Sequence, residues 1–355
     1  MKKIYYITAV FATLFLVGCG DGIDLPGVNV ETDLNKIPLP DNNVNLEQVE
    51  LKPSTEPMLH EGLHTEEDFQ RIRDKKAAGE EPWISAYQLL VESQFSQKTA
   101  DTYPTEWIKR GVSGDENYMN AARGATIAYQ QALRWKIEQD DEYAAKAVEN
   151  LNKWVQTCVG VTGNTNLSLA AGLYGYEFAI AGELLRDYGG WDRADFAAFQ
   201  NWLLKVFYPA NDDFLKRHHD TNALHYWANW CLCNIAAKMA IGIVTDRRDI
   251  YNEGIAHLQT GDTNGRLRRA IYHDYAPDYN FAQWQESGRD QGHTLMCVGL
   301  MGIICQLAWS QGDDFFAYDD NLFLRACEYA ACCNYTNETL SLIHISEPTR
   351  PRLIS

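Results

Sequence analysis

Amphipathic helical segments recur along most of the chain, and this recurrence limits the possible folds more than any other feature. Within the segments apolar residues return at intervals of three and four, as at Trp154, Val155 and Cys158, which places them on one face of a helix. No strong run of alternating polar and apolar residues predicts a sheet. The predicted helices are Thr65 to Lys76, a segment after Pro82, Asn117 to Gln139, Tyr143 to Val159, Leu167 to Tyr188, Arg193 to Phe207, Asn222 to Val244, Asp249 to Gln259, Gly292 to Gln311 and Asn321 to Tyr335.

Long helices that are joined by short turns and lack a heptad repeat are expected to stack as helical hairpins. A continuous series of hairpins between Glu61 and Tyr335 favours one all-α domain, an α/α toroid in which inner helices surround a central cleft. We assign this domain to residues 61–340. An α-solenoid is the competing architecture, but the sequence has no self-similarity at a fixed period, which a solenoid requires.

The first residues predict export. Met1-Lys2-Lys3 is a short basic segment, and the apolar run from Ile4 to Val17 is short for a membrane-spanning helix. The run ends in Leu-Val-Gly-Cys, which resembles a bacterial lipoprotein signal, so residues 1–18 are expected to be removed and Cys19 to carry a lipid. Residues 19–60, rich in Pro, Asn, Asp and Glu, are predicted to be a flexible tether. The expected location is the periplasm or the outer-membrane surface, with the membrane as a partner through the lipid.

Residues 341–355 resemble a translated sequencing-adapter read, a known contaminant of assembled metagenomes. The helical pattern stops abruptly at Thr339, and Pro348 and Pro351 follow within the tail. We therefore expect this tail to be foreign to the domain and the toroid to be an incomplete barrel, truncated at its C-terminus.

The charge balance argues against nucleic acids as partners. Lys and Arg number 31 against 48 Asp and Glu, a net charge of -17, whereas nucleic-acid binding depends on clustered Lys and Arg. An anionic substrate remains compatible with this surface if a few cationic residues line a local cleft.

The cysteines predict neither a disulfide framework nor a zinc site. Eight follow Cys19, none of them in a Cys-x-x-Cys pair, and they lie in apolar stretches that are typical of small buried side chains. We predict no metal and no cofactor. The cysteines in question include Cys231, Cys233, Cys297, Cys305, Cys327, Cys332 and Cys333.

Two stretches, residues 217–230 and 272–293, concentrate polar groups among aromatic rings. Sugars are bound in such surroundings, because pyranose faces stack on rings and hydroxyl groups need hydrogen-bond partners. The predicted helix from Asn222 places His225 and Asn229 on one face. The second stretch is predicted to open a helix with polar residues that are costly beside an apolar run unless they face a wet cleft. These residues are Gln285, Glu286, Arg289, Asp290 and His293.

The segment Gln283 to His293 (Gln-Trp-Gln-Glu-Ser-Gly-Arg-Asp-Gln-Gly-His) resembles the alginate-lyase superfamily, and most of all the family 38 polysaccharide lyases of gut and marine Bacteroidetes. The resemblance extends from about Glu61 to Tyr335. It implies β-elimination at a uronic acid in an α/α toroid, without an obligatory metal and with an anionic polysaccharide as partner. Supporting patterns are Asn166-Leu167 with Ala171-Gly172, Glu183 to Arg186, Trp230 to Asn234, Met239 to Gly242 and Ala317 to Asn321.

In related lyases a tyrosine and a histidine act as the acid–base pair. His225 and Tyr279 are 54 residues apart, close to the interval in the family, and the resemblance assigns them these roles. The interval also admits two alternatives, His218 with Tyr272 at 54 residues and His219 with Tyr275 at 56 residues.

The same resemblance assigns neutralisation of the substrate carboxylate to Asn229, Arg289 and His293. Asn222 also flanks His225, so the choice between the two asparagines stays open. The expected substrate is alginate, with glucuronan or another polyuronate next. Further sugar contacts are predicted for Asn166, Tyr176, Asn222, Trp227, Gln285 and Glu286.

Two other functions remain open at this point. A glycoside hydrolase on the same toroid could use Glu286 and Asp290, but hydrolysis needs two carboxylates flanking the bond, and these two would line one wall of a predicted helix. A non-catalytic glycan-binding lipoprotein would need exposed aromatic platforms but no acid–base pair. The concentration of His, Tyr and Arg favours the lyase, while the oligomeric state and endo or exo action are left open.

Overall fold

The computed structural model describes residues 55–277 and 279–334 and consists mainly of α-helices. The predicted signal peptide with Cys19, the tail 341–355 and most of the predicted tether lie outside these residues. The strands are β1 Trp107–Arg110, β2 Gly160–Gly163, β3 Ile271–Asp274 and β4 Ala282–Trp284. The helices are α1 Glu66–Ala77, α2 Trp83–Glu92, α3 Tyr118–Glu138, α4 Asp141–Thr157, α5 Leu167–Leu184, α6 Arg193–Val206, α7 Tyr208–Arg217, α8 Ala228–Val244, α9 Arg248–Thr260, α10 Leu267–Ala270, α11 Gln291–Ser310 and α12 Tyr318–Asn334.

Helices α3, α5, α8 and α11 run parallel to one another and form the inner wall of an α/α toroid, and α4, α6, α7, α9 and α12 pack outside them. At the start of α5 and α8, Asn234 donates to the Ser168 carbonyl at 3.2 Å. At the other end, Arg186 donates to the Val244 carbonyl at 2.9 Å. The predicted all-α toroid is confirmed.

The inner helices are apolar on all sides, which is the pattern of helices at the centre of a protein. Helix α5 is buried from Ser168 to Leu184 except at Glu177, and α8 is buried throughout except at Trp230. Helix α11 has the length and composition of a membrane-spanning helix, but 61% of its apolar window is buried inside the protein. The inner wall of the toroid accounts for that composition.

One predicted helix start near the candidate site is wrong, and a second is correct to within one residue. Helix α8 begins at Ala228 and not at Asn222, because residues 221–227 form a turn in which His225 N donates to the Asn222 carbonyl. Helix α11 begins at Gln291, one residue before the predicted Gly292, and the Asp290 carboxylate accepts the His293 N–H and caps the helix. His225 and Asn229 therefore do not share a helix face, and residues 285–290 precede α11. Helix α7, with a proline in its first turn, was not predicted.

Two short ribbons lie where inner helices begin. Strand β1 pairs in parallel with β2, with Trp107 opposite Gly160 and Arg110 opposite Gly163. Strands β3 and β4 form an antiparallel hairpin. Because β1 leads into α3, β2 into α5 and the hairpin into α11, both ribbons border the same end of the toroid.

The prediction that the cysteines are buried is correct for the interior of the domain and wrong for the outer helix α12. Cys158, Cys231, Cys233, Cys297 and Cys305 are buried free thiols. Cysteines 327 and 332 are only partly buried and cysteine 333 is exposed, because α12 is an outer helix with one face in solvent.

The last residues of the predicted tether pack on the domain. Arg248 donates to the carbonyls of Glu56 and Pro57 at 2.8 and 2.9 Å. The Gln311 side chain forms hydrogen bonds to the backbone of Leu59 in both directions. The folded region therefore begins a few residues before Glu61.

Candidate active site

The candidate site lies at the end of the toroid where the four inner helices begin. Helix N-termini carry partial positive charge from unpaired backbone N–H groups, and those of α3, α5, α8 and α11 all point to this end. In a chain with a net charge of -17, this end is the favourable one for an anion. Among the residues that the structure describes, every predicted site residue except Tyr176 lies here, in a loop, a ribbon or a first helical turn.

The segment between α7 and α8 holds three histidines around a strained turn. The residues from His218 to Asp220 have φ values of 47°, 52° and 61°, a conformation that is unfavourable for residues other than glycine and that clusters at functional sites. His219 Nε2 lies 3.0 Å from Ser168 Oγ in the first turn of α5. The His225 ring packs on Tyr226, with ring centroids 4.8 Å apart.

His218 belongs to the interior. It is 2% exposed, its Nε2 lies 3.5 Å from Cys231 Sγ, and its ring packs on Phe214 at 4.8 Å. Burial, with smaller contributions from His219 and His225, lowers the pKa of His218 to about 4. A buried neutral imidazole of this kind supports the turn, which leaves His219 and His225 as the histidines of this segment that can meet a substrate.

A short loop before α10 fixes the histidine segment. Asn264, which is buried, donates to the Leu224 and Tyr226 carbonyls at 3.0 and 2.8 Å. Two residues further, Arg266 is partly buried. Within residues 55–277 and 279–334, its guanidinium forms no ion pair or hydrogen bond. The sequence gives no signal for Arg266, because a cation without an acidic partner can be recognised only in the folded chain.

The β3–β4 hairpin is held firmly between α10 and α12. Arg325, 3% exposed, donates to both carboxylate oxygens of Asp274, and Arg268 donates to one of them at 3.1 Å. Arg268 also pairs with Asp319 in α12. Burial alone would raise the pKa of Asp274, but hydrogen bonds from Arg325 and from the Ala276 backbone lower it. The hairpin is therefore anchored by an ionised carboxylate.

The hairpin carries the three candidate tyrosines in different environments. Tyr275 donates its hydroxyl to Gln283 at 2.8 Å and stacks on Tyr329 with ring centroids 5.8 Å apart. Tyr272 lies within β3 and is partly buried. The packing of Tyr275 is that of a structural residue, whereas Tyr272 lies at a bulge of β3, two residues from the anchored Asp274.

Tyr279 lies in the turn between the two strands and is 54% exposed. Its backbone N–H donates to the Tyr275 carbonyl at 3.0 Å. In the described part of the chain its hydroxyl forms no hydrogen bond with His225 or Arg289. The structure thus shows no contact between His225 and Tyr279, and their pairing stays a prediction.

Glu286 is a buried acid that binds two of the predicted carboxylate-neutralising residues. It is 1% exposed. Asn229 Nδ2 donates to its Oε2 at 2.6 Å, and Arg289 forms an ion pair with its Oε1. The Arg289 guanidinium also lies over the Trp227 ring, 4.6 Å from the centroid. Glu286 therefore orients Asn229 and Arg289 and is itself too buried for the predicted sugar contact.

The other residues near α8 and α11 serve mainly as caps. Gln285 Oε1 accepts the Ala228 N–H at 3.0 Å and so satisfies a backbone donor at the start of α8. His293 Nδ1 lies 2.7 Å from the Asp290 carboxylate, and 41% of the His293 side chain is exposed. His293 thus remains accessible, whereas Gln285 Oε1 already accepts a hydrogen bond from the backbone of α8.

Two predicted asparagines differ in their availability. Asn222 is exposed, and its Oδ1 accepts the Leu224 N–H at 2.9 Å within the turn. Asn166 precedes α5 and is partly buried. Among the described residues its side chain has no hydrogen-bond partner, so Asn166 is the better placed of the two for a sugar hydroxyl.

The sequence profile of the alginate lyase family matches residues 73–338. The chain belongs to the alginate lyase family. It is a polysaccharide lyase. No curated protein sequence matches it.

Solved alginate lyases share the fold of this family member. It is similar to alginate lyase A1-III from Sphingomonas species A1, with a TM-score of 0.56 and 14% identity over 84% of this chain and 85% of that one. A histidine-to-alanine variant of A1-III complexed with a tetrasaccharide gives a TM-score of 0.61 and 14% identity over 83% of each chain. An alginate lyase from Bacteroides ovatus gives 0.52 and 14% over 81% of this chain and 84% of that one.

Within this lyase, Tyr176 is the predicted site residue that lies outside the cleft end. It is 3% exposed and lies about 14 Å along the axis of α5 from its first residue, at about 1.5 Å per residue. Its hydroxyl is 3.5 Å from Glu177 Oε1. Burial raises the pKa of Tyr176 well above its ordinary value and that of Glu177 to about 8. The predicted sugar contact of Tyr176 is wrong, because the surrounding inner helices enclose it.

Proposed function

We propose that this lyase cleaves a polyuronate by β-elimination, with alginate the first candidate substrate and glucuronan the second. The main support is that His219, His225, Arg266 and the tyrosine-bearing hairpin lie at the end where four helix N-termini meet. Elimination requires a base for the C5 proton, an acid for the departing glycosidic oxygen and positive charge for the enolate-like intermediate. All three kinds of group are present at this end.

We assign the base to a tyrosine of the hairpin. A tyrosine has an ordinary pKa near 10 and must lose its proton to act as a base, which a nearby cation favours. Tyr272 is the first candidate, because it lies on an anchored strand, where geometry is held more precisely than in a loop. Tyr279, favoured by the sequence interval, is the alternative, and His225 or His219 completes the pair.

We assign neutralisation of the reacting carboxylate to Arg266. The charge of Arg289 is already balanced by Glu286, and the Asn229 amide is bound to the same acid. Arg266 has no acidic partner among the residues that the structure describes, so its charge is available to the substrate. Arg289 on Trp227, with the accessible His293 nearby in sequence, would then form part of the sugar-binding wall.

The hydrolase alternative finds little support in the site. Hydrolysis needs one carboxyl group that can protonate the leaving oxygen and a second on the other side of the bond. Glu286 is enclosed and bonded to Asn229 and Arg289, and Asp290 caps α11 and pairs with His293. Both carboxylates thus have structural partners.

The product of the reaction tests the proposal. The chain should be incubated with alginate, glucuronan and a neutral polysaccharide, and the ultraviolet absorbance of the unsaturated uronate followed with time. Elimination from a polyuronate supports the proposal. New reducing ends without that absorbance would indicate hydrolysis, and binding without either product would indicate a glycan-binding protein.

Export as a lipoprotein remains part of the proposal, on the pattern of Met1 to Cys19 alone. Expression of the full chain in a bacterial host with a labelled fatty acid should label the protein, and Cys19→Ser should abolish the label. Labelling that persists in the variant would contradict lipidation at Cys19.

A further inference from the structure

The ribbon of β1 and β2 carries an exposed apolar surface outside the candidate active site. Trp107, the first residue of β1, is 43% exposed, and Val159, just before β2, is 56% exposed. The two residues are neighbours, because the Val159 N–H donates to the Glu106 carbonyl at 2.8 Å and Trp107 lies opposite Gly160. We call Trp107 and Val159 the ribbon surface. A contiguous exposed apolar surface, unlike a single exposed residue, is typical of a binding site.

The backbone that carries Trp107 is fixed on both edges. On one edge β1 pairs with β2. On the other edge Asn117, which precedes α3, donates its side-chain amide to the Trp107 carbonyl at 3.0 Å and accepts the Lys109 N–H at 2.7 Å. A side chain on a fixed backbone loses little conformational freedom when it meets a ligand. The ribbon therefore holds Trp107 ready for binding.

The Trp107 ring lies directly against Gly160. A Cβ at this glycine would be 2.5 Å from Cζ3 of the ring and 3.1 Å from Cε3, so any other residue here would displace the ring. The exposed part of the ring points away from Gly160, and within the described part of the chain the indole N–H has no hydrogen-bond partner. Tryptophan in this state offers an apolar face and a free donor together, which are the two contacts that a sugar ring and its hydroxyl groups require.

The ribbon surface faces away from the interior of the toroid. Successive side chains of a strand point to opposite faces. Ile108 and Arg110 are 0% and 7% exposed and point inward, so Trp107 and Lys109 point outward. The strands lead towards α3 and α5 at the cleft end, and Trp107 is about 10 Å from the last residue of β1, at about 3.3 Å per residue. A polymer that extends out of the cleft over the starts of α3 and α5 therefore meets the ribbon surface.

We propose that the ribbon surface is a second, non-catalytic polysaccharide-binding site that holds part of the substrate polymer outside the cleft. The face of a pyranose would stack on Trp107, and Lys109, on the same face of the strand, would pair with a carboxylate of an acidic sugar. Lys109 now pairs with Asp115, whose side chain is 66% exposed. Exposed ion pairs contribute little, so Lys109 can exchange this partner for the ligand. The acidic nature of the ligand rests on the proposed function.

The site acts together with the cleft because both bind one chain. A single stacked sugar is held weakly, but once the polymer occupies the cleft its binding to Trp107 is intramolecular and strengthens the whole complex. A trisaccharide that fills only the cleft gains nothing from a site outside it. The ribbon surface should therefore affect the polymer and leave short substrates unaffected.

The test compares Trp107→Ala and Trp107→Phe with wild type and with Trp309→Ala. Trp309 is the matched control, because it is 50% exposed at the end of α11 that is remote from the cleft. For Trp107→Ala we expect KM for the polyuronate polymer to rise about threefold to tenfold, the range of one aromatic contact, with kcat unchanged. The kcat/KM for a uronate trisaccharide should stay at the wild-type value. Trp107→Phe should recover part of the loss, and Trp309→Ala should match wild type on both substrates.

Gly160→Ala provides a second variant, since it displaces the ring without removing it. The exposed ring can turn aside, so the melting temperature should change little while KM for the polymer rises. Equal losses on polymer and trisaccharide in Trp107→Ala would show that Trp107 acts in the cleft or supports the fold. An unchanged KM for the polymer would show that the ribbon surface binds no substrate. Either result overturns the inference.

Electrophoresis through gels that contain alginate or glucuronan separates this inference from the proposed function. If wild type cleaves no polyuronate, the proposed function fails. Retardation by the polyuronate that is lost in Trp107→Ala and kept in Trp309→Ala would still support the binding site. If the polyuronate is neither cleaved nor bound in a way that depends on Trp107, both the function and the site are wrong.

Discussion

Asn229 donates a 2.6 Å hydrogen bond to Glu286, and this contact changes the role of both residues. The sequence predicts an amide that neutralises the substrate and a glutamate that contacts a sugar. Instead the buried glutamate holds the amide and also the guanidinium of Arg289, which lies over Trp227. Glu286 is therefore a positioning residue, and the wall of the cleft depends on its charge.

Glu286→Gln should preserve the bond from Asn229 and remove the charge that holds Arg289. Because Arg289 is 38% exposed and can turn to water, we expect a loss of about 1–2 kcal/mol in unfolding free energy, less than for a fully buried pair. KM should rise more than kcat falls. Urea denaturation and steady-state kinetics measure both effects.

Glu80→Gln is the matched control for this change, since it removes an exposed ion pair with Lys75 that should contribute little. If Glu286→Gln raises stability and leaves KM at the wild-type value, Glu286 does not position Arg289.

The three hairpin tyrosines give a prediction about catalysis. Each Tyr→Phe change removes only a hydroxyl, so the fold should survive in all three. Tyr272→Phe should lower kcat by a factor of about a thousand, because the loss of a general acid or base typically costs this much. Tyr275→Phe should mainly reduce stability, because it loses the bond to Gln283. Initial rates and thermal melts separate the two effects, and an inactive Tyr279→Phe with an active Tyr272→Phe would restore the assignment made from the sequence.

Arg266 and Arg289 should differ in the same assay. Loss of one preorganised stabiliser of developing charge typically lowers kcat by about a hundredfold to a thousandfold, and we expect this for Arg266→Met. Arg289→Met should instead affect KM, since its charge is balanced by Glu286. Equal effects of the two changes on kcat would contradict the assignment of neutralisation to Arg266.

The helices were predictable because local signals and apolar periodicity agree. At α1, Thr65 accepts the Asp68 N–H and Asp68 accepts the Thr65 N–H, which is the capping pattern that the sequence shows. The inner helices α5 and α8 follow from their continuous apolar composition. Such signals depend on residues close together in the chain, so they can be recognised without knowledge of the tertiary structure.

The start of α8 was not predictable in this way. The carbonyls of Leu224 and Tyr226 accept hydrogen bonds from Asn264, and the Ala228 N–H donates to Gln285. These partners lie about forty and sixty residues away, and they replace the helical bonds that the local sequence would otherwise form. The contact between Asn229 and Glu286 spans a similar interval, so the site's internal pairing is a tertiary property.

Glu177 gives a prediction about pH. It is the residue of α5 between Ser168 and Leu184 that is not fully buried, yet its Oε2 is covered and has no hydrogen-bond partner among the described residues. Burial raises the pKa of this carboxyl to about 8, and the Tyr176 hydroxyl opposes the rise only in part. In the unfolded chain the carboxyl has a pKa near 4.3.

The sign of the effect follows from these two values. Between about pH 4.3 and pH 8 the folded chain keeps the proton and the unfolded chain loses it, so the stability that Glu177 contributes falls as pH rises through this range. Glu177→Gln keeps a neutral group of similar shape and removes the titration. It should therefore stabilise the protein at pH 8 relative to pH 5, by up to about 4 kcal/mol at 1.36 kcal/mol per pKa unit.

Urea denaturation at pH 5 and pH 8 measures this difference, with Glu92→Gln, an exposed glutamate in α2, as the control. Burial also lowers the pKa values of three histidines to about 4, the buried His218 and the partly buried His64 and His257, and these residues make stability depend on pH as well. They are common to all three proteins, so their contribution cancels in the comparison. A Glu177→Gln protein whose stability changes between the two pH values as much as that of wild type would show that Glu177 is ionised in the fold.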